Sequence, residues 1–177
     1  MIQYETKRLL LSTKNEFAFQ EILQFYQENK AHLEPFEPTR SDAFYTPEYQ
    51  LKTLSMETQL TKSHNYLRLW LSLKDDPNTI IGTICFSDIF RNRAYLAYKM
   101  DYRYTGNGYC YEACNKGLSI MKDSYDVDCV IASVLPDNTP SLQVLKRLDF
   151  LYKGIEKQAV SIQNQEYHLL RYQKSLR

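Results

Sequence analysis

The sequence predicts an α/β fold: one mixed, mostly antiparallel sheet of about seven strands with about four helices. Three observations lead there. Phe19, Ile22, Leu23 and Tyr26 recur at helical spacing. The period then switches to two in "NYLRLWLSL", where Leu67, Leu69, Leu71 and Leu73 alternate with Arg68, Trp70 and Ser72. Further on, the short and continuously apolar "CVIASVL" reads as a central strand buried on both faces.

The elements follow in order. "YETKRLLLS" is an opening strand, and Asn15 to about Lys30 is a helix. "HLEPFEPTRSD" holds two prolines and reads as a loop. Pro47 to about Lys62 is a second helix, with Pro47 acceptable in its first turn. "NYLRLWLSL" is a half-buried strand. "TIIGTICFSDIF" and "AYLAYKM", separated by "RNR", extend it into an antiparallel meander. Gly108 to about Lys122 is a long helix, "CVIASVL" a strand, and "NTPSLQVLKRL" a helix with Asn138 as N-cap. "FLYKGIEKQAVS" and "QEYHLLRYQKSL" close the chain as a hairpin around "QNQ". With 177 residues and no repeat or linker, the expectation is a single domain over residues 1–177.

Charge narrows the function classes. Twenty-two basic and 21 acidic residues leave a net charge of +1, so composition makes no case for a nucleic-acid or membrane surface. "MIQYETKRLLLST" is neither a signal peptide nor a spanning helix. The four cysteines, at 85, 110, 114 and 129, lack C-x-x-C spacing and read as free thiols of a reducing cytoplasm. Cys110 and Cys114 continue a stripe through Leu118 and Met121. This fits core packing better than a metal site, which needs more ligands close by.

The chemistry-bearing stretch is "YTGNGYCYEA", residues 104–113. It places two of the five glycines between a strand and a helix. Glycines let backbone approach a ligand closely, and a helix N-terminus exposes unpaired N–H groups at the positive end of its dipole. That combination suits a pyrophosphate; a plain strand-to-helix turn is the other reading. The dinucleotide fingerprint fails because Tyr111 stands where a third small residue belongs, and the Walker loop fails because "GYC" is not Gly-Lys-Ser/Thr.

"LAYKMDYRYTGNGYCYEA" resembles the acetyl-CoA-binding motif of the GNAT N-acetyltransferases. Within them it is most similar to the branch that acetylates the N-termini of ribosomal proteins. Tyr98, Met100, Tyr104, Gly106, Gly108, Tyr109, Glu112 and Ala113 match the branch pattern, while Thr105 and Asn107 replace the usual Gln and Lys. Downstream, "PDNTPSLQVLKRLDF" resembles a second motif through Asn138, Ser141, Leu145 and Phe150, with Asp149 in place of Gly. The opening "ETKRLLL" and the order of strands fit as well, so the likeness spans nearly the whole chain.

The resemblance implies a sheet splayed between "AYLAYKM" and "CVIASVL", with acetyl-CoA in the cleft and no metal. It implies that the Tyr98–Met100 strand meets the pantetheine arm and supplies an oxyanion donor. Backbone N–H groups of Gly106, Asn107, Gly108, Tyr109 and Cys110 would hold the pyrophosphate, with Thr105 counted beside them among the cofactor-binding residues. Asn138 would bond the pantetheine amide or simply cap its helix. Lys146 and Arg147 would meet CoA phosphates or lie on a solvated face. Ser141 occupies the position that serves the leaving thiolate, or is a first-turn serine. The reaction implied is direct attack of a neutral amine, either a protein N-terminus or a small molecule, in a ternary complex. The branch often forms homodimers; the sequence leaves oligomeric state open.

The general base is where the chain departs from the branch. Tyr95 stands where an acid is usual, and unperturbed tyrosine, with a pKa of ~10, is a poor base. His168 occupies the place of an acidic residue in the last strand, and its reference pKa of ~6.5 suits a base. Asp88 in "CFSDIF" is a third candidate, and Glu112 reads as structural. For the acceptor side, Glu34, Glu37 and Asp42 could meet a cationic amine, with Phe36, Phe44 and Tyr45 as an apolar wall; solvated charges and core packing are the alternatives. Rival functions are an acyl-CoA-binding or regulatory domain that has lost its base, and an interaction module that binds no CoA.

Overall fold

The computed structural model describes residues 2–177. Its centre is an eight-stranded sheet in the order β1-β2-β3-β4-β5-β6-β8-β7. The strands are β1 (Gln3–Glu5), β2 (Leu9–Ser12), β3 (Leu67–Leu73), β4 (Gly82–Phe90), β5 (Arg93–Met100), β6 (Cys129–Val134), β7 (Leu151–Ile162) and β8 (Gln165–Ser175). The helices are α1 (Phe19–Glu28), α2 (Lys30–Leu33), α3 (Pro47–Lys62), α4 (Tyr109–Tyr125) and α5 (Thr139–Arg147). All strand pairs are antiparallel except β5–β6. None of the helices is long and apolar enough to cross a membrane.

The opening strand and the first helix differ in outline from the sequence expectation. The opening strand is a hairpin, which raises the count from seven strands to eight. Thr6 turns the chain, its N–H donating to the Leu9 carbonyl at 3.0 Å and its hydroxyl accepting from the Leu9 N–H. Gln3–Glu5 then pair with Leu10–Ser12. The first long helix is broken at Asn29, which is fully buried. The Asn29 side chain donates to the Phe25 carbonyl and to Asp101, and accepts from the Tyr102 N–H. These bonds tie the α1–α2 break to the end of β5, and short 3-10 turns fill much of the following "loop".

Strand alternation sorts the core into two faces. Leu67, Leu69, Ile84, Phe86, Ala94, Leu96 and Met100 pack with Cys114, Leu118 and Met121 of α4. Trp70 faces the other way, among Ile22, Phe25, Tyr26, Phe44 and Leu54. Trp70 is only 3% exposed, so β3 is covered on both faces rather than half-buried. Gly117 allows α4 to lie close to the sheet: a Cβ there would stand 2.7 Å from both Ile84 Cδ1 and Phe86 Cε2. Gly117→Ala should therefore cost about 1–3 kcal/mol through overpacking, or about 2–4 °C of Tm per kcal/mol. An unchanged melting curve would contradict that close approach.

The strand arrangement opens a cleft. β5 and β6 pair only over Arg93–Tyr95 and Cys129–Ile131, although β5 continues to Met100 and β6 to Val134. The β6-facing edge of Leu96–Met100 is thus left without a strand partner.

Candidate active site

The turn between β5 and α4 lies at the mouth of this cleft. Gly106 (φ +78°) and Gly108 (φ +76°) are both left-handed, with Asn107 between them. Asn107 braces the turn by donating its side-chain amide to the carbonyls of Tyr104 and Thr105. Gly108 is the N-cap of α4 and brings no capping side chain. Among the described residues, the backbone N–H groups of Gly106, Asn107 and Gly108 donate to no protein acceptor. A row of free N–H groups leading into a 17-residue helix forms an anion nest on the positive end of a dipole. These residues fit a pyrophosphate.

Two guanidinium groups flank the nest. A Cβ on Gly108 would lie 3.6 Å from an Arg147 nitrogen and 3.7 Å from an Arg8 nitrogen. Arg147 stacks 4.0 Å over the Tyr111 ring, and Arg8 lies 4.4 Å over Tyr109. The nest opens onto a groove of about 600 Å3 whose lining includes Arg8, Gly108, Tyr111, Lys116 and Arg147, a volume in the range of small-molecule sites. Arg8 escaped the sequence reading, which took "ETKRLLL" only as a sign of the fold.

Glu112 positions Arg8. Its carboxylate accepts from the Thr6 hydroxyl at 2.6 Å, the Arg8 N–H at 2.8 Å and Arg8 Nε at 2.7 Å. Burial pushes this carboxyl up, but the bonds from Thr6 and Arg8 and the Arg8 charge outweigh it and hold it below its usual range. A carboxyl depressed on folding stabilises the protein above its unfolded pKa of ~4.3. That contribution is lost as pH falls through the folded value. Glu112→Gln should therefore lower Tm at neutral pH, with the deficit shrinking toward about pH 3. Thermal melts showing an equal deficit at both pH values would contradict this.

Deeper in the cleft, Tyr98 reaches from β5 to α5. Its hydroxyl lies 2.8 Å from Ser141 Oγ and donates to the Ser141 carbonyl at 3.0 Å. Burial is the main reason that its pKa is raised, so it stays protonated. Asn138 caps α5 by accepting from the Ser141 N–H at 3.2 Å. Its amide nitrogen keeps no protein partner among the described residues. Met100 is buried in the α4-side core, so its role toward a ligand would come from its backbone. Cys110 is half-buried against the same core, and Cys114 is buried within it. Thr105 spends its hydroxyl on the Tyr102 carbonyl. Lys146 and Arg147 are both exposed on α5, but only Arg147 lies beside the nest.

The three base candidates do not converge. Tyr95 is the last β5 residue paired with β6 and is 40% exposed. His168 is exposed, and its Nδ1 accepts the Gln158 N–H at 2.9 Å. The neutral ring therefore carries its proton on Nε2 and has no spare lone pair. Asp88 is exposed in a β4 bulge with φ +48° and accepts only from the Ser87 hydroxyl, at 3.4 Å.

The opposite face of the sheet corrects the expectation for the acidic residues there. Glu37 is 8% exposed and is held by Lys99 and by Arg40, the latter at 2.5 Å. Burial raises its carboxyl, but these two cations outweigh it and leave it below its usual range. Glu37 is thus not free to receive an ammonium. Glu34 pairs with Lys30 at 3.6 Å, and Asp42 is exposed. Phe44 is core and Tyr45 packs against it, while Phe36 is 41% exposed. The segment carrying Glu37 also reaches the β7–β8 turn, where the Gln163 N–H donates to Thr39 Oγ1 at 2.5 Å. It therefore straps β5 to that hairpin.

The comparisons with known proteins agree with this geometry. The family described as Acetyltransferase (GNAT) domain matches residues 8–151. The chain is 26% identical over 167 residues to the [Ribosomal protein uS5]-alanine N-acetyltransferase of Escherichia coli, covering 93% of this chain and 86% of that one. It superposes on the ribosomal-protein-S5-alanine acetyltransferase of Vibrio fischeri with a TM-score of 0.93 at 26% identity, covering 99% and 97% of the two chains. Mycobacterium smegmatis RimJ, solved in complex with CoA-disulfide, shares the fold with a TM-score of 0.88 at 19% identity, covering 95% and 82%. A nest at the mouth of a splayed sheet, in a chain matched along most of its length, makes this protein a member of the GNAT acetyltransferase family.

Proposed function

We propose that the protein transfers an acetyl group from acetyl-CoA to a primary amine by direct attack in a ternary complex. The observation that carries this is the run of unpartnered N–H groups at Gly106–Gly108 beside the unpaired edge of β5. Acetyl-CoA supplies the thioester whose acyl group is moved. The N–H groups of Gly106, Asn107, Gly108, Tyr109 and Cys110 hold the pyrophosphate, with Arg8 and Arg147 adding charge. The free edge of Tyr98–Met100 orients the pantetheine arm and offers a backbone N–H to charge developing on the carbonyl oxygen. The Asn138 amide nitrogen is placed to bond the arm. Ser141 Oγ, held by Tyr98, would turn its proton from the Tyr98 oxygen to the departing sulfur and regain one from cleft water, which carries the proton the amine loses.

The amine must arrive neutral or lose a proton. Tyr95 would orient it through a hydrogen bond rather than serve as its base. His168 would have to surrender the Gln158 bond to accept a proton. We assign the deprotonation to water in the cleft rather than to one side chain. The named activity of the uS5-alanine relative supports a protein N-terminus as acceptor, and with such an acceptor the reaction would run in the cytoplasm. A small-molecule amine fits the cleft chemistry equally.

The test is a thermal melt with and without acetyl-CoA, followed by thiol release over an amine panel. A ligand of the native state at 100 times its Kd stabilises by about 2.7 kcal/mol, so a clear rise in Tm is expected. No rise at millimolar acetyl-CoA would overturn the proposal. Tyr95 in the place of an acid favours a second reading, an acyl-CoA-binding domain without turnover. That reading predicts the same rise in Tm but no thiol release with any amine.

A further inference from the structure

The face of the sheet opposite α4 holds a charge cluster that the transferase reading does not use. Glu37 is shared by Lys99 and Arg40. Next to them, Glu57 accepts from Arg68 Nε at 2.8 Å and from the Tyr66 hydroxyl at 2.6 Å. The side chains are largely withdrawn from solvent: Glu37 and Glu57 are each 11% exposed, Lys99 17%, Arg68 18% and Arg40 23%. Three cations thus face two carboxylates. Neither Glu34 nor Asp42 makes a contact that would balance them. The same face has a second excess of donors: the buried indole N–H of Trp70, among the described residues, has no acceptor.

Buried charge without a counter-charge is expensive, and a ligand that brings the missing charge recovers that cost. Lys99 projects from the splayed part of β5, on the side away from Met100 and α4. Arg40 stands at the edge of a depression lined by Tyr26, Glu37 and Tyr45, stacked 3.8 Å over Phe44. Lys99 thus carries the cluster onto the half of β5 that β6 leaves unpaired.

We propose that the acceptor amine carries an anionic group, a carboxylate or phosphate, that docks on Arg40 and Lys99. This rests on the acetyltransferase reading and reverses the sign of acceptor that Glu34, Glu37 and Asp42 suggest in the sequence. The anion completes a cluster with one carboxylate too few; Glu37 takes Arg40 Nε and one Nη, which leaves the other edge of the planar guanidinium for a carboxylate or phosphate. An acidic residue next to a peptide's N-terminal amine would supply it, as would a small amino acid.

Calorimetry on the protein saturated with CoA separates these sources without requiring turnover. The peptide Ala-Glu-Ala-amide is compared with Ala-Gln-Ala-amide, and β-alanine with β-alaninamide. The acidic member of at least one pair should bind about tenfold tighter, as expected for one added charge-assisted hydrogen bond. A preference in the first pair alone identifies an acidic peptide; one in the second pair alone identifies a small anionic amine. Lys99→Met and Arg40→Gln should each bring the preference close to unity while CoA still raises Tm. Equal or weaker binding of both acidic members, or no binding by any of the four, would overturn the inference. So would a preference that survives both substitutions. A rise in Tm with acetyl-CoA alongside any of those results would leave the transferase reading standing.

Discussion

Gly108→Val should abolish acetyl-CoA binding in a protein that still folds. The expected readout is loss of the acetyl-CoA-induced rise in Tm, equivalent to an affinity loss of about 100-fold or more, because two or three charge-assisted hydrogen bonds are at stake. Space is not the issue: the nearest atoms to a new Cβ are guanidinium nitrogens at 3.6 and 3.7 Å. Backbone conformation is. Gly108 sits at φ +76°, where an L-residue pays roughly 1–2 kcal/mol and a β-branched one more. Valine would pull the residue out of the left-handed region and rotate the adjacent N–H groups away from their common target. Gly108 lies outside both core clusters, so stability should fall only modestly. Thr105→Ala is the matched control: its hydroxyl serves only the Tyr102 carbonyl, so binding should change little. Undiminished CoA affinity in folded Gly108→Val would remove the nest from the mechanism.

Ser141→Ala should lower kcat by about 100-fold, the lower end of what a positioned proton donor contributes, while leaving KM for acetyl-CoA nearly unchanged. The cleft makes this substitution clean. Tyr98 is bonded both to Ser141 Oγ and to the Ser141 carbonyl. Loss of the Oγ atom therefore leaves the buried phenol with a partner, and no orphaned donor is created. The Asn138 cap is made to the Ser141 backbone N–H and survives as well. A fall in kcat with an unchanged Tm would mark Ser141 as a proton carrier. Wild-type kcat would reduce it to a first-turn serine.

The turn and helix caps that carry the proposed cofactor site were legible in the sequence because their signals are local. Two glycines four residues or fewer from a helix start, and an asparagine three residues before Ser141, read as a turn and a helix cap from spacing, and only the resemblance to the GNAT motifs tied them to acetyl-CoA. Strand alternation likewise separated Leu67, Leu69 and Leu71 from Trp70. What stayed hidden depends on contacts across long stretches of chain. Arg8 joins the nest through Glu112, 104 residues away. Glu37 reads as a solvated loop acid until Lys99, 62 residues on, is brought against it. The break at Asn29 has no glycine or proline to announce it, since its cause is hydrogen bonding to Asp101 and Tyr102. The opening hairpin escaped because strands of three and four residues are too short to show a period.

The two faces of the splayed sheet have different origins along the chain. Most of the cofactor face comes from residues 98–147, from Tyr98 through the nest to Arg147, whereas α1, α3 and the strap that carries Glu37 and Arg40 cover the other. In the proposed reading the two faces meet on β5, which turns Tyr98 toward the cofactor and Lys99 toward the acceptor. A chimera that exchanges residues 30–46 with those of a relative, keeping Lys99, is expected to change acceptor preference while the acetyl-CoA-induced rise in Tm stays the same. On that reading, descendants of such a scaffold would diversify what they modify while the transfer step stays constant.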